Sequence, residues 1–361
     1  MTPRVVAVRS ALPANRYLQA QCTGAFAARG RMSVSERVLL GRLHASAEVE
    51  TRHTALPLAD CGVLRGAEAV NDRYIAEATA LGEQALRLAL ETAGLSAADL
   101  DLLIVTSVTG VAVPSLDARL IPRLGLRADI RRLPIFGLGC VAGAAALGRL
   151  HDYLLGWPEH TAALLAVELC SLNWPTSQIT RADMVASGLF GDGAVALIAR
   201  GGQVPSGHDP DEEARPPGPA VLASRSAVYP DSGDALGWRL SDDCFRIVLT
   251  TDLPVVIERE VAGSVTAFLA EHGLTVDDVG SWICHPGGPK VIDAVQRALK
   301  LPDSAVAASR RSLAEVGNMS SASVLHILEM ISETDRPPPG SFGLMIGLGP
   351  GVSAELVLLR W

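Results

Sequence analysis

Residues 134–155 read PIFGLGCVAGAAALGRLHDYLL, and the fold turns on how this stretch is understood. The apolar run Leu133-Pro134-Ile135-Phe136 predicts the end of a buried strand. Gly137-Leu138-Gly139 then lets the backbone turn sharply without a side-chain penalty. Cys140 follows, and after it comes an Ala-rich segment of strong helix formers. The pattern puts a thiol at a strand-to-helix elbow, on the first turn of a buried helix. The positive end of that helix dipole favours thiolate, the nucleophilic form. Val141, Ala142, Gly143 and Ala144 are small enough to let another backbone or a substrate come close. A free cysteine is usually just a small buried hydrophobe, so the elbow by itself leaves both readings open.

The chain has 361 residues, a length that suits two domains or one duplicated fold. It is 48% hydrophobic with only 4% aromatics, which fits helices packed tightly on sheets. A formal net charge of −8 and the lack of a basic stripe argue against nucleic acid as a partner. No apolar run reaches the roughly 18 residues of a membrane span, and the N-terminus lacks a signal-peptide pattern. Stable membrane anchoring is therefore not expected. The six cysteines, Cys22, Cys61, Cys140, Cys170, Cys244 and Cys284, form no CxxC pair. That spacing points away from a metal site and a disulfide framework, and towards the reduced cytoplasm.

Taken in order, strands are expected at Arg4 to Val8, Leu102 to Ser107, Ala162 to Val167, Ala194 to Ala199, Ala220 to Ala227 and Ser281 to Cys284. Helices are expected at Gln19 to Arg31, Ser35 to Ala47, Asn71 to Ala93, Leu116 to Leu124 and Val255 to Glu271. Leu56 to Val70 reads as loop. Residues 201–219, GGQVPSGHDPDEEARPPGP, form the one clear linker. The chain divides there into an N-terminal half, residues 1–200, and a C-terminal half, residues 220–361.

The halves repeat. Gly94-Leu95-Ser96 with Asp99-Leu100 before a strand recurs as Gly273-Leu274-Thr275 with Asp278-Val279 before another. Gly139-Cys140 recurs as Gly317-Asn318, and Gly191-Asp192-Gly193 as Gly349-Pro350-Gly351. Three matches in one order predict a pseudo-twofold fold with two facing elbows. Cys140 and Asn318 then aim at one point, and His285 ends the strand equivalent to the one leading to Thr109. A thiolate beside His and Asn donors suits acyl transfer. The Cys carries a thioester, and the donors hold a developing oxyanion or enolate. No third carboxylate has triad spacing; Glu168 is better read as a buried structural residue.

With these residues in place, the chain resembles the type III polyketide synthases, the chalcone-synthase-like branch of the thiolase superfamily. The matching stretches are GLGCVAGAA at 137–145, LFGDGA at 189–194, HPGGPKVID at 285–293, GNMSSASVL at 317–325 and GLGPG at 347–351. The resemblance implies an α/β, five-layered αβαβα duplicated fold and a cytoplasmic homodimer. It implies acyl-CoA and malonyl-CoA as substrates and no cofactor or metal. Cys140 would take the starter, and His285 and Asn318 would promote decarboxylation. Phe190 matches a gatekeeping aromatic, and Thr109 and Ser320 match substrate-contacting positions. Val113 matches a residue that reaches into the partner's cavity. Arg42 falls where a basic residue meets coenzyme A phosphates, and it reads equally as a solvated helix face.

The chain departs from the plant pattern. A second gatekeeping Phe appears as Ile247, and a cavity Gly as Trp238. Cavity Thr/Val positions appear as Cys170, Leu172 and Asn173. The expectation is a fatty acyl starter and an alkylresorcinol or alkylpyrone product. The alternatives are a tetrahydroxynaphthalene synthase using malonyl-CoA alone, a β-ketoacyl-ACP synthase III, and a non-catalytic acyl-CoA-binding protein of this fold.

Overall fold

Apolar runs as long as LLIVT and TAALLAVEL have no stable place at a surface, since burying one Val, Leu or Ile side chain is worth about 1.5–3 kcal/mol. They become β4 (Leu102–Thr106) and β6 (Thr161–Leu169), buried at every position. The structure, a computed structural model, describes residues 2–361 except 30–31, 62, 65, 176–177, 205–217, 234 and 251–252. Residues 205–217 of the expected linker 201–219, and residues 30–31 of the first expected helix, lie outside the described residues.

The N-terminal half runs β1 (Arg4–Ala11), β2 (Asn15–Leu18), α1 (Gln19–Arg29), α2 (Val34–Ala45), β3 (Thr51–Thr54), α3 (Gly66–Thr92), β4, α4 (Leu116–Leu124), β5 (Arg131–Ile135), α5 (Ala142–Gly156), β6, α6 (Arg181–Leu189) and β7 (Asp192–Arg200). The C-terminal half runs β8 (Ala220–Val228), β9 (Leu236–Leu240), β10 (Phe245–Leu249), α7 (Leu253–Glu271), β11 (Val279–Cys284), α8 (Pro289–Leu299), α9 (Ala307–Val316), α10 (Ser323–Thr334), β12 (Phe342–Gly349) and β13 (Ser353–Arg360).

Nine strands hydrogen-bond in the order β11-β12-β13-β8-β1-β7-β6-β4-β5. The halves meet at β1 and β8, where Arg4 faces Ala220. Within each half, β5-β4-β6 and β11-β12 run parallel, while β7 and β13 return antiparallel. Strand residues alternate between two cores, as a period of two requires. Along β6, Ala163, Leu165 and Val167 face α3, whereas Ala162, Leu164 and Ala166 face α5 and α10. Along β13, Ala354, Leu356 and Leu358 face α7 and α8, whereas Val357 and Leu359 face the middle helices. The layers are therefore helix, sheet, helix, sheet, helix, the expected αβαβα arrangement.

The repeat is visible in backbone detail. Gly94 and Gly273 both follow a helix with φ of +63° and +69°. Leu95 N–H reaches Leu90 O and Leu274 N–H reaches Leu269 O, each at 3.0 Å. Asp99 and Asp278 then accept the N–H of Ser96 and Thr275 at 2.7 and 2.8 Å.

Three expectations need correction. The run 133–136 is not a buried strand end. β5 pairs with β4 on one side only and lies at the edge of the sheet, with Leu133 39% and Phe136 53% exposed. Residues 66–70, read as loop, already belong to α3, whose second residue donates its N–H to Asp242 O at 3.0 Å. The undivided segment 238–250 is a hairpin with Trp238 opposite Ile247. Among the described residues, no helix is long and apolar enough to cross a membrane, and no three His, Cys, Asp or Glu side chains cluster for a metal.

Candidate active site

The Cys140 elbow follows the parallel strand β5, whereas the Asn318 elbow follows α9 and meets Phe190 in a single bridge. Gly139 has φ of +59°, and a Cβ there would lie 2.5 Å from Pro350 Cγ. Gly317 has φ of +74°, and a Cβ there would lie 2.9 Å from Leu189 O. Both positions demand glycine, and each places the next residue, Cys140 or Asn318, at the mouth of a buried helix.

Cys140, His285, Asn318, Phe190 and Ile247 line one compartment of a cavity. A second compartment shares Cys140, Phe190 and Ile247 and adds Thr109, Cys170, Asn173, Trp238, Phe245 and Ser320. Beyond Thr109, Asn173, Trp238 and Phe245 lies a third, apolar space of about 310 Å³ that reaches Val111 and Phe136. Phe190 lines both compartments, beside Asn318 on one side and Trp238 on the other. Trp238 contacts Phe245 at 4.3 Å and Phe136 at 5.8 Å between ring centroids, so three aromatics wall the far end.

Asn318 is held from three sides. Its N–H donates to Leu189 O at 2.8 Å, and its carbonyl accepts Gly191 N–H at 3.0 Å. Its Oδ1 accepts Ser320 N–H at 2.8 Å and the Ser323 hydroxyl at 3.4 Å. With the oxygen occupied by donors, the amide NH₂ is the group left for the cavity. Ser320 adopts φ of +49°, which brings its hydroxyl within 3.5 Å of Cys140 Sγ.

His285 follows β11, and its N–H bonds to Ile346 O at 2.9 Å. Burial pushes its imidazole down to about 3, so it is neutral at working pH. Nδ1 is buried without a partner among the described residues. A proton there would be stranded, so it belongs on Nε2, which makes His285 a donor towards substrate.

The expectation of a resting thiolate is not met. Cys140 opens partly to the cavity, yet protein surrounds it and a charge would be poorly hydrated. Burial pushes the thiol up to about 12, against the smaller opposing effect of the Ser320 hydroxyl. The helix dipole does not outweigh desolvation here. Leu172 also departs from expectation. The turn Cys170–Asn173 is a 3₁₀ turn, in which residues three apart share a face. Cys170 and Asn173 face the cavity, and Leu172 packs into the core with Trp174 and Met184. Arg42 is exposed on α2, and Val113 is 97% exposed in the loop before α4.

Leu236 and Phe245 were not singled out from the sequence, whereas Glu168 was, as a buried structural residue. Leu236 and Phe245 line the cavity beside Trp238 and Ile247, and the alternation Leu236-Trp238 and Phe245-Ile247 is the signal that marks them. Glu168 is fully buried beneath the cavity. It accepts Val108 N–H at 3.1 Å, the Thr109 hydroxyl at 3.0 Å and the Ser321 hydroxyl at 2.5 Å. Burial still dominates and pushes its carboxyl up to about 7.

Residues 4–203 match the N-terminal domain of chalcone and stilbene synthases, and residues 220–361 match the C-terminal domain. A 1,3,6,8-tetrahydroxynaphthalene synthase of Streptomyces peucetius subsp. caesius is 52% identical over 99% of this chain and 93% of its own length. The alpha-pyrone synthesis polyketide synthase-like Pks18 of Mycobacterium tuberculosis is 31% identical over 90% of this chain and 82% of its own. The crystal structure of the tetrahydroxynaphthalene synthase of Streptomyces coelicolor A3(2), titled a bacterial type III polyketide synthase, superposes with a TM-score of 0.90 at 30% identity, covering 99% of both chains.

Proposed function

Because the chain belongs to the chalcone and stilbene synthase family and is a type III polyketide synthase, we propose that it condenses malonyl-CoA alone into 1,3,6,8-tetrahydroxynaphthalene. The observation that carries this is the 52% identity, along nearly the whole chain, to a synthase of that name. It replaces the expected fatty acyl starter as the leading reading.

In the proposed mechanism Cys140 attacks the thioester carbonyl of the first acyl-CoA. As the bond to coenzyme A breaks, the Cys140 thiol proton passes to the departing sulfur and coenzyme A leaves as its thiol, while His285 Nε2–H donates to the developing oxyanion. A bound malonyl-CoA then loses CO₂, leaving an enolate whose oxygen receives hydrogen bonds from His285 Nε2–H and the Asn318 NH₂. The enolate carbon attacks the Cys140 thioester, the C–S bond breaks, and Cys140 leaves as thiolate and takes a proton from solvent; the extended chain stays on coenzyme A and is passed back to Cys140 for the next round. Each malonyl unit adds two carbons, so ten ring carbons require five units. Phe190 would divide the coenzyme A side from the chamber, and Arg42, exposed on α2, would meet coenzyme A phosphates. Thr109, Cys170, Asn173, Trp238, Ile247 and Ser320 would shape the chain before cyclisation.

We place the enzyme in the cytoplasm as a homodimer with the Val113 loop at the contact, and we place the boundary between its halves at residues 201–219. The edge of β5, unpaired among the described residues, and the exposed Val113 support the dimer.

Incubation with malonyl-CoA alone is expected to give a single aromatic product with the mass of a tetrahydroxynaphthalene. A second reading, an acyl-CoA starter, is favoured by the apolar space of about 310 Å³ beyond Trp238. It predicts no aromatic product from malonyl-CoA alone and turnover only with acyl-CoA present. That result would overturn the product assignment and leave the family in place.

A further inference from the structure

Arg52, on β3, is completely buried. A buried guanidinium is costly unless its donors are matched; here both Nη groups are matched, while Nε is buried without a partner among the described residues. Its Nη1 donates to Ser187 O at 2.6 Å and Phe190 O at 2.8 Å. Its Nη2 donates to Gly188 O at 2.8 Å and to Gln19 Oε1. Ser187 and Gly188 lie in the last turn of α6, so the cation also faces the negative end of that helix. Asp192, fully buried two residues beyond Phe190, supplies a countercharge and is itself held by Ala55 N–H at 2.7 Å and Ser171 N–H at 2.8 Å.

The same segment holds Asn318 from its other side. Leu189 O and Gly191 N–H take the two backbone bonds of Asn318, and Phe190 lies directly opposite it. The chain around β3 also grips the end of α9, which leads into Asn318. Glu50 N–H donates to Ala314 O at 2.8 Å, and the Thr51 hydroxyl to Glu315 O at 2.5 Å. Arg52 therefore sits where both supports of Asn318 meet, while Cys140 stands on the other elbow, where Gly139 abuts Pro350.

We propose that Arg52 is a positioning residue for the condensing half of the reaction. Its guanidinium fixes residues 187–190, and through them the Asn318 amide and the Phe190 ring. The inference rests on the donor role given to Asn318 above.

The test measures CO₂ release from malonyl-CoA and iodoacetamide alkylation of Cys140 in the full chain. The variants are Arg52→Lys, Asn318→Ala and the double variant. Lysine keeps the charge but replaces the planar fork with a point donor. Displacement of a catalytic group by about 1 Å can cost about 100-fold, so in Arg52→Lys the decarboxylation kcat should fall by about 10- to 100-fold. KM and alkylation should stay within about threefold. Arg52→Lys should add little to Asn318→Ala, because groups acting through one amide are not additive. Equal losses of decarboxylation and alkylation, or fully multiplied losses in the double variant, overturn the inference. Normal decarboxylation in Asn318→Ala overturns instead the role of Asn318 on which it rests. If Arg52→Lys does not fold, Gln19→Leu removes one of the four Arg52 acceptors and carries the same test. A severalfold loss of decarboxylation with unchanged alkylation supports the inference, and unchanged decarboxylation overturns it.

Discussion

Cys140 is a neutral thiol in a poorly hydrated pocket, raised to about 12, with a neutral imidazole lining the same compartment. Its nucleophilicity then depends on proton removal as substrate binds. Iodoacetamide should label Cys140 fastest of the six cysteines because the cavity exposes it, and the rate should climb with pH through at least pH 9. A plateau near neutrality would mean a preformed thiolate–imidazolium pair. Cys140→Ala should form no product. Glu168 makes a separate prediction. Its folded value, about 7, lies above the ordinary 4.5. A raised carboxyl favours the folded state below the unfolded value and loses that contribution as pH rises through the folded one. Between pH 5 and pH 8 the wild type should therefore lose stability relative to Glu168→Gln, by up to about 3 kcal/mol. Thermal unfolding at the two pH values checks this, and a pH-independent difference would show that Glu168 is ionised throughout.

At the scale of elements, the two elbows work because their helices touch through backbone. α5 begins at Ala142, and a Cβ on Gly143 would lie 2.1 Å from Ser321 O, in the turn ahead of α10. Ser321 in turn holds Glu168. Gly143→Ala must push the two elbows apart, and overpacking of this kind costs about 1–3 kcal/mol. The expected outcome is a lower Tm together with a loss of decarboxylation larger than the stability loss explains, since Asn318 lies just ahead of the displaced turn and its Oδ1 accepts Ser320 N–H. A variant that is less stable but fully active would show that the elbows tolerate separation.

For the whole molecule, β5 ends the nine-stranded order with one edge unpaired among the described residues. Such edges invite pairing with another chain. Near it, Val111, Val113, Phe136 and Leu138 are exposed, and Val111 and Phe136 also line the space beyond Trp238. A second copy covering this face would close that space. Sedimentation should give twice the 37.8 kDa chain mass, and Val113→Asp should weaken the dimer and lower product formation together. A stable, fully active monomer would refute this arrangement.

The sequence by itself determined the elbows, the repeat and the positions of Cys140, His285 and Asn318, while the family resemblance implied the αβαβα layering. Each depends on local rules: glycine where φ is positive, apolar runs where both faces are covered, and small residues where helices meet. Only the tertiary structure decided the exposure of β5, because an apolar run reads alike at an edge and in a core. It also decided the thiol state of Cys140, where desolvation by distant elements overrides the adjacent dipole. Leu172 turned inward because a 3₁₀ turn, not a strand, carries it. Arg52 stayed hidden because its four acceptors come from α1 and the end of α6, far along the chain, and nothing beside Arg52 in the sequence names them.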